Sequence, residues 1–119
     1  MTLENFYRRV LQRIGVLASG ETASAEDRAL VLETYASVYE EILARIGNRA
    51  YWSVSGDVPD ELALPLASIV GYQLADEFEL PMEKVMKLRA DAEDGPDAGW
   101  AKVLTLTARY QPTIKLEDY

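Results

Sequence analysis

The chain has 119 residues, of which 49% are hydrophobic, and carries a formal net charge of −8. This length and composition are typical of one globular domain and argue against global disorder. The chain contains no cysteine and no histidine, which excludes thiol chemistry, disulfides, Cys/His zinc sites and histidine-based catalytic triads. The acidic balance disfavours tight binding of nucleic acid, because an acidic surface repels phosphate.

The N-terminal residues and the apolar runs bear on localisation. Met-Thr-Leu-Glu-Asn does not begin with a basic region followed by an apolar stretch, so no signal peptide is predicted. No apolar run approaches the roughly 20 residues that span a bilayer. We therefore expect a protein that is made and kept in the cytoplasm and has no membrane partner.

Apolar residues recur at helical spacing along most of the chain. Their spacing predicts helices over residues 3–14, 25–47, 60–78 and 82–92. Capping residues and helix breakers support these bounds: Thr2 and Gly15, Ser24 and Gly47, Pro59 or Asp60, and Pro81. The residues expected inside the domain include Tyr35, Ile42, Ile69 and Leu74.

The C-terminal third is less regular. Asp94-Gly95-Pro96-Asp97 is a strong helix breaker, and residues 98–109 fit either a short helix or a strand, with helix favoured. Residues 110–119 contain Pro112 and predict an extended arm. The fold class expected is therefore all-α: a small antiparallel bundle of four to five helices over residues 1–109, followed by that arm.

Two segments resemble ligand-binding loops. Gly15 to Thr22 matches the phosphate-binding loop pattern except that Glu21 stands where lysine is required, and it follows a helix instead of a strand. The acidic segment from Asp91 to Asp97 resembles a calcium loop, but its alanines fall where ligands are needed. We therefore expect no nucleotide site, no metal and no cofactor.

The remaining polar candidates favour protein contacts over catalysis. The adjacent carboxylates Glu40-Glu41 and Asp76-Glu77 point about 100° apart on a helix and cannot form an acid/base dyad. Tyr35 and Tyr39 belong to the core or to a subunit interface. Candidate interface residues are the arginines of the first helix, two aromatics that look exposed in a loop, and the anchors of the arm: Arg8, Arg9, Arg13, Tyr51, Trp52, Ile114, Leu116 and Tyr119.

With these residues in view, the chain resembles the head–tail connector (adaptor) proteins of tailed bacteriophages. The family's Leu-Gly-Val-like helix stop is matched by Arg13-Ile14-Gly15-Val16, and its capped long second helix by Ser24 to Ile46. An Ala-Pro-Glu-Phe-Gly-Leu-Pro-like phrase is matched by residues 75–81, although Asp76 stands where members often carry proline. The resemblance extends over residues 5–90, and the break at residues 94–96 interrupts what is often a longer last helix.

The resemblance implies a structural virion protein, not an enzyme. Such a protein forms a ring, twelvefold to match the portal, at the head–tail junction of the virion. Its partners are the portal and a downstream tail or neck protein, and it contacts DNA only transiently as DNA passes through its channel. The alternative is a helical regulatory or antitoxin-like module that binds a partner protein; an enzyme has no residue constellation to support it.

Overall fold

A computed structural model describes residues 1–18, 20–47 and 50–110, apart from the side chain of Tyr110. Within these ranges the chain forms five α-helices and no strand. The helices are α1 (Leu3–Arg13), α2 (Ala25–Ile46), α3 (Asp60–Gln73), α4 (Met82–Glu93) and α5 (Gly99–Tyr110). The all-helical fold is therefore confirmed, and α5 shows that residues 99–109 are helix, with Ala98 just before its first residue. The predicted arm lies outside the described residues from position 111 onward.

Helices α1 and α2 begin at the predicted caps. The Thr2 hydroxyl accepts a hydrogen bond from the amide of Asn5 at 3.2 Å, and the Ser24 hydroxyl accepts one from the amide of Asp27 at 3.1 Å. These bonds satisfy donors that the first turn of a helix leaves without a partner. At its other end, α2 stops at Gly47, whose φ of 80° is left-handed and whose amide donates to the carbonyl of Leu43.

The end of α1 is a Schellman cap. The Val16 amide donates to the Leu11 carbonyl at 3.0 Å, the Gly15 amide donates to the Gln12 carbonyl at 3.1 Å, and Gly15 has a φ of 82°. A glycine adopts this conformation without the steric penalty of a side chain. The Ile14-Gly15-Val16 phrase is thus the stop signal that the sequence indicated.

Helix α3 ends at Gln73, so the predicted end at residue 78 is wrong. Residues 74–79 continue as turns, with the Ala75 amide bonded to the Tyr72 carbonyl at 3.1 Å. A second Schellman cap follows: the Leu80 amide donates to the Ala75 carbonyl at 3.2 Å, and the Glu79 amide donates to the Asp76 carbonyl at 3.2 Å. Glu79 takes the left-handed position with a φ of 50°. The apolar spacing continues through this corner, and it therefore looked like helix in the sequence.

Helix α3 is the centre of the domain and contacts the other four helices. Its buried residues lie on all sides, as expected for a helix surrounded by protein. Two glycines allow the closest approaches. A Cβ on Gly71 would lie 3.1 Å from Cγ2 of Ile14, the C-cap residue of α1, and a Cβ on Gly99 of α5 would lie 2.7 Å from the Pro65 carbonyl oxygen.

The core prediction is confirmed at every position named. Tyr35, Ile42, Ile69 and Leu74 are each at most 1% exposed. Helices α1 and α3 start at the same end of the domain, where the N-terminal ammonium of Met1 donates to Val58 O and pairs with Asp60 at 2.7 Å.

Candidate interaction surfaces

The three arginines of α1 do not form one cluster. Arg8 and Arg9 lie with Asn5 and Gln12 around a shallow hollow of about 250 Å³ that also touches Met1. Neither Arg8 nor Arg9 forms an ion pair with a described residue, and Arg8 Nε is buried without a hydrogen-bond partner among them. We call Asn5, Arg8, Arg9 and Gln12 the basic face of α1.

Arg13 points in another direction, into a cleft between helices. Its guanidinium bonds Asp91 of α4 at 2.9 Å, and both side chains are partly buried. This cleft, about 330 Å³, also contains Asp94, Asp97 and Lys102. Arg13 therefore joins α1 to α4. It does not belong to the basic face, so the three arginines predicted together lie on two different surfaces.

The acidic segment at residues 91–97 forms part of the same cleft. One of its carboxylates, Asp91, is already engaged by Arg13. Among residues 1–18, 20–47 and 50–110, no three carboxylates come close enough together to hold a metal ion. Residues 15–18 and 20–22 of the segment that resembles a phosphate-binding loop lie between α1 and α2, and Glu21 accepts a hydrogen bond from the amide of Ala18 at 3.1 Å.

The loop aromatics are held within the chain, and the expectation that Trp52 is exposed is wrong. Trp52 is 8% exposed, and its indole Nε1 donates to the hydroxyl of Tyr35 at 2.9 Å. The Tyr39 hydroxyl donates to the Trp52 carbonyl at 2.6 Å, and the Tyr51 hydroxyl donates to Glu61 at 2.8 Å. The rings of Tyr39 and Tyr51 meet the indole edge to face, with centroids 5.3 and 5.4 Å away.

Two tyrosines of this cluster have perturbed ionisation. Burial raises the pKa of Tyr35 above its ordinary value of 10.0, and the Trp52 hydrogen bond opposes that rise only in part. Burial and the nearby charge of Glu40 raise the pKa of Tyr39. Both phenols are therefore protonated at neutral pH and act as hydrogen-bonding groups that hold Trp52 against α2.

Helix α4 exposes two methionines. Met82 and Met86 are 71% and 64% exposed, whereas Leu88 and Ala92 are buried. The spacing explains this outcome, because Met82 and Met86 are six and two residues from Leu88, which places them on the far side of the helix. Exposed methionines of this kind are common at protein-binding surfaces.

The outer face of α2 was not identified from the sequence. Glutamates recur on it every seven residues, and small residues lie between them; all are exposed: Glu26, Ala29, Glu33, Ala36, Ser37, Glu40 and Ala44. The basic residues Arg28 and Arg45 lie off this stripe, and Arg45 instead pairs with Glu41 at 2.6 Å and covers the Trp100 ring at 4.1 Å. We call this stripe the acidic face of α2. The seven-residue spacing was the signal that could have revealed it.

The predicted anchors Ile114, Leu116 and Tyr119 lie outside the described residues. Among the helices that the structure describes, none has the length and apolar character needed to cross a bilayer. Comparison of the chain with protein-family models, with curated proteins and with solved structures finds no match.

Proposed function

We propose that this chain is a head–tail connector of a tailed bacteriophage, a structural virion protein that docks as a ring on the portal and bridges it to the tail. The observation that carries the proposal is the conformation of the two phrases on which the resemblance rests. Gly15 and Glu79 are the left-handed residues of two Schellman caps. The connector-like phrase has glycine at the position of Glu79, which is the residue that this backbone favours.

The same caps suit a subunit that must keep its shape in an assembly. They turn the chain sharply after α1 and between α3 and α4, and α3 is packed by helices on every side. A rigid block loses little conformational entropy when it joins a ring, so more of its contact energy appears as affinity.

The exposed charged and apolar side chains that could contact partners lie on separate helices. The basic face of α1, the acidic face of α2 and the exposed methionines of α4 lie on three different helices. This distribution supports a protein with several protein partners, here the portal, a downstream tail or neck protein, and neighbouring copies. In this proposal the protein acts without catalysis and without a cofactor.

The net charge of −8 supports passage of DNA through a channel. An acidic wall repels phosphate and lets DNA move with only transient contact. In the proposed role the protein is made in the host cytoplasm and becomes part of the head–tail junction of the virion.

The test combines the purified chain with purified portal rings of the phage that encodes it. We expect a monomer alone and, with portal, a species whose mass by light scattering corresponds to a ring of connector, twelvefold on a twelvefold portal. A stable dimer that ignores the portal rings would contradict the proposal and favour the helical regulatory or antitoxin-like alternative.

A further inference from the structure

The basic face of α1 and the acidic face of α2 are complementary in charge. The first carries Arg8 and Arg9, with Glu4 as the acidic residue beside them on α1. The second carries Glu26, Glu33 and Glu40 without a basic residue on the stripe. Its alanines and Ser37 are short, so another helix can approach closely enough for long arginine side chains to reach the carboxylates.

These two faces cannot meet within one chain. Helices α1 and α2 pack against each other through their opposite sides, where the rings of Phe6 and Tyr35 lie 4.9 Å apart. The acidic face of α2 and Arg9 of the basic face are consequently left exposed on the outside of the pair, and Arg8 beside Arg9 is half-buried. A contact between them requires two copies of the domain.

We propose that the basic face of α1 in one copy binds the acidic face of α2 in the next. This contact is heterologous, because each copy uses one surface to bind and another to be bound. Repetition of such a contact generates a closed ring where the rotation between copies closes, and an open filament where it does not. This inference rests on the proposed function only for the closure of the ring; the contact itself is independent of the portal.

The contact is expected to be weak in isolation. One helix face against another covers much less than the roughly 800 Å² per partner of a standard stable interface. Its energy comes mainly from charge pairs at an exposed surface, which salt screens. Such a contact orders neighbouring subunits once a template has concentrated them, and leaves the subunit mostly monomeric in dilute solution.

Nuclear magnetic resonance can detect this contact without a portal, because the chain is only 13.3 kDa. We expect amide signals to move as protein concentration rises at low salt, at positions confined to residues 5–12 and 26–44, and to return when salt is added. An absence of concentration-dependent shifts up to the solubility limit, or shifts confined to other helices, would overturn the inference.

Charge reversal provides the second arm of the experiment. The Arg8→Glu/Arg9→Glu protein and the Glu33→Lys/Glu40→Lys protein should each lose the shifts, because their two faces now carry like charges. An equimolar mixture should recover them, because each face then meets an opposite charge on the other variant. The matched control is Arg28→Glu/Lys102→Glu, which changes net charge by the same amount as the first variant at exposed positions away from both faces.

The outcomes separate this inference from the proposed function. Helical circular dichroism checks that each variant is folded. Loss of the shifts in the control as well as in the first variant would assign the effect to net charge and overturn the inference. A chain that binds portal rings but shows no self-contact would leave the connector proposal standing and remove this interface.

Discussion

At the scale of single residues, Glu79 has a backbone conformation that a residue with a side chain disfavours. Its φ of 50° is left-handed, and this conformation costs an L-residue about 1–2 kcal/mol. Glu79→Gly should remove that strain and raise the free energy of unfolding by about 1 kcal/mol. Urea unfolding followed by circular dichroism measures the change.

The control for this prediction is Glu77→Gly, two residues earlier in the same corner. Glu77 is not among the residues with positive φ, so glycine there only increases the entropy of the unfolded chain. We expect Glu77→Gly to be destabilising. If both glycines destabilise equally, the left-handed conformation at residue 79 is not the source of the strain.

Leu74 tests the core at the same scale. It is fully buried, and Leu74→Asp places a carboxylate there without a partner, a change that we expect to unfold the domain. Leu64→Asp is the matched control, because Leu64 is 56% exposed and its aspartate stays in water. Thermal melting of both proteins decides the matter: a Leu74→Asp protein that melts like the Leu64→Asp protein would contradict the assignment of the core.

At the scale of elements, two glycines set how closely helices approach α3. A Cβ at residue 99 would lie 2.7 Å from the Pro65 backbone carbonyl, whereas one at residue 71 would lie 3.1 Å from the tip of Ile14. Backbone cannot move aside as a side-chain tip can. Gly99→Ala should therefore destabilise by about 1–3 kcal/mol.

Gly71→Ala is the comparison for that prediction. Alanine is about 1 kcal/mol better than glycine inside a helix, which offsets the small displacement of Ile14. We expect its urea midpoint to stay near that of the unmodified protein. Equal losses in the two variants would show that the α3–α5 contact is no tighter than the α1–α3 contact.

The cluster of Tyr35, Tyr39 and Trp52 joins the loop after α2 to that helix and predicts a dependence on alkaline pH. Because folding raises the pKa of both phenols, their contribution to stability is complete below about pH 10 and is lost as pH rises through the folded values. Unfolding midpoints should therefore fall as pH rises above about 10.

Tyr35→Phe isolates one of these phenols. It leaves the buried Trp52 N–H without its acceptor, so stability at neutral pH should fall by about 1–3 kcal/mol. The additional loss at alkaline pH should be smaller than in the unmodified protein, because one titrating phenol is gone. Urea midpoints at neutral and alkaline pH measure both effects, and an undiminished alkaline loss in Tyr35→Phe would contradict the assignment.

At the scale of the whole molecule, the domain and the residues after α5 have different expected roles. Residues 111–119 carry Ile114, Leu116 and Tyr119, which we propose as anchors on the portal or on a neighbouring copy. Deletion of residues 111–119 should weaken capture by portal rings and leave the helical circular dichroism unchanged.

Two double variants of the full-length chain serve as controls for that deletion. Ile114→Ser/Leu116→Ser should weaken portal capture as the deletion does, because it removes apolar side chains that fill pockets. Glu117→Gln/Asp118→Asn alters neighbouring residues and keeps the anchors, so it should bind normally. Undiminished capture by the shortened protein would remove the arm from the portal contact.

Local sequence determined the helices wherever caps and apolar spacing agreed. Thr2, Ser24 and Gly47 act within a turn of their own positions, so their effect was visible without any tertiary information. The corner at residues 74–79 was missed because its apolar residues keep helical spacing while its hydrogen bonds close a turn. The ambiguity at residues 98–109 also came from spacing, because their apolar residues fit both a helix and a strand. The helix forms because α3 offers a surface for it to cover.

The candidate surfaces depended more on the tertiary structure. Helical spacing alone placed Arg8 and Arg9 away from the apolar side of α1, and their role at an interface stays a prediction. The sequence could not separate Arg13 from them, since the carboxylate that engages Arg13 comes from Asp91, far along the chain. Trp52 looked exposed in a polar loop, and only the positions of Tyr35 and Tyr39 on α2 decided that it is buried. Spacing is a local property, whereas burial and charge pairing depend on residues that only folding brings together.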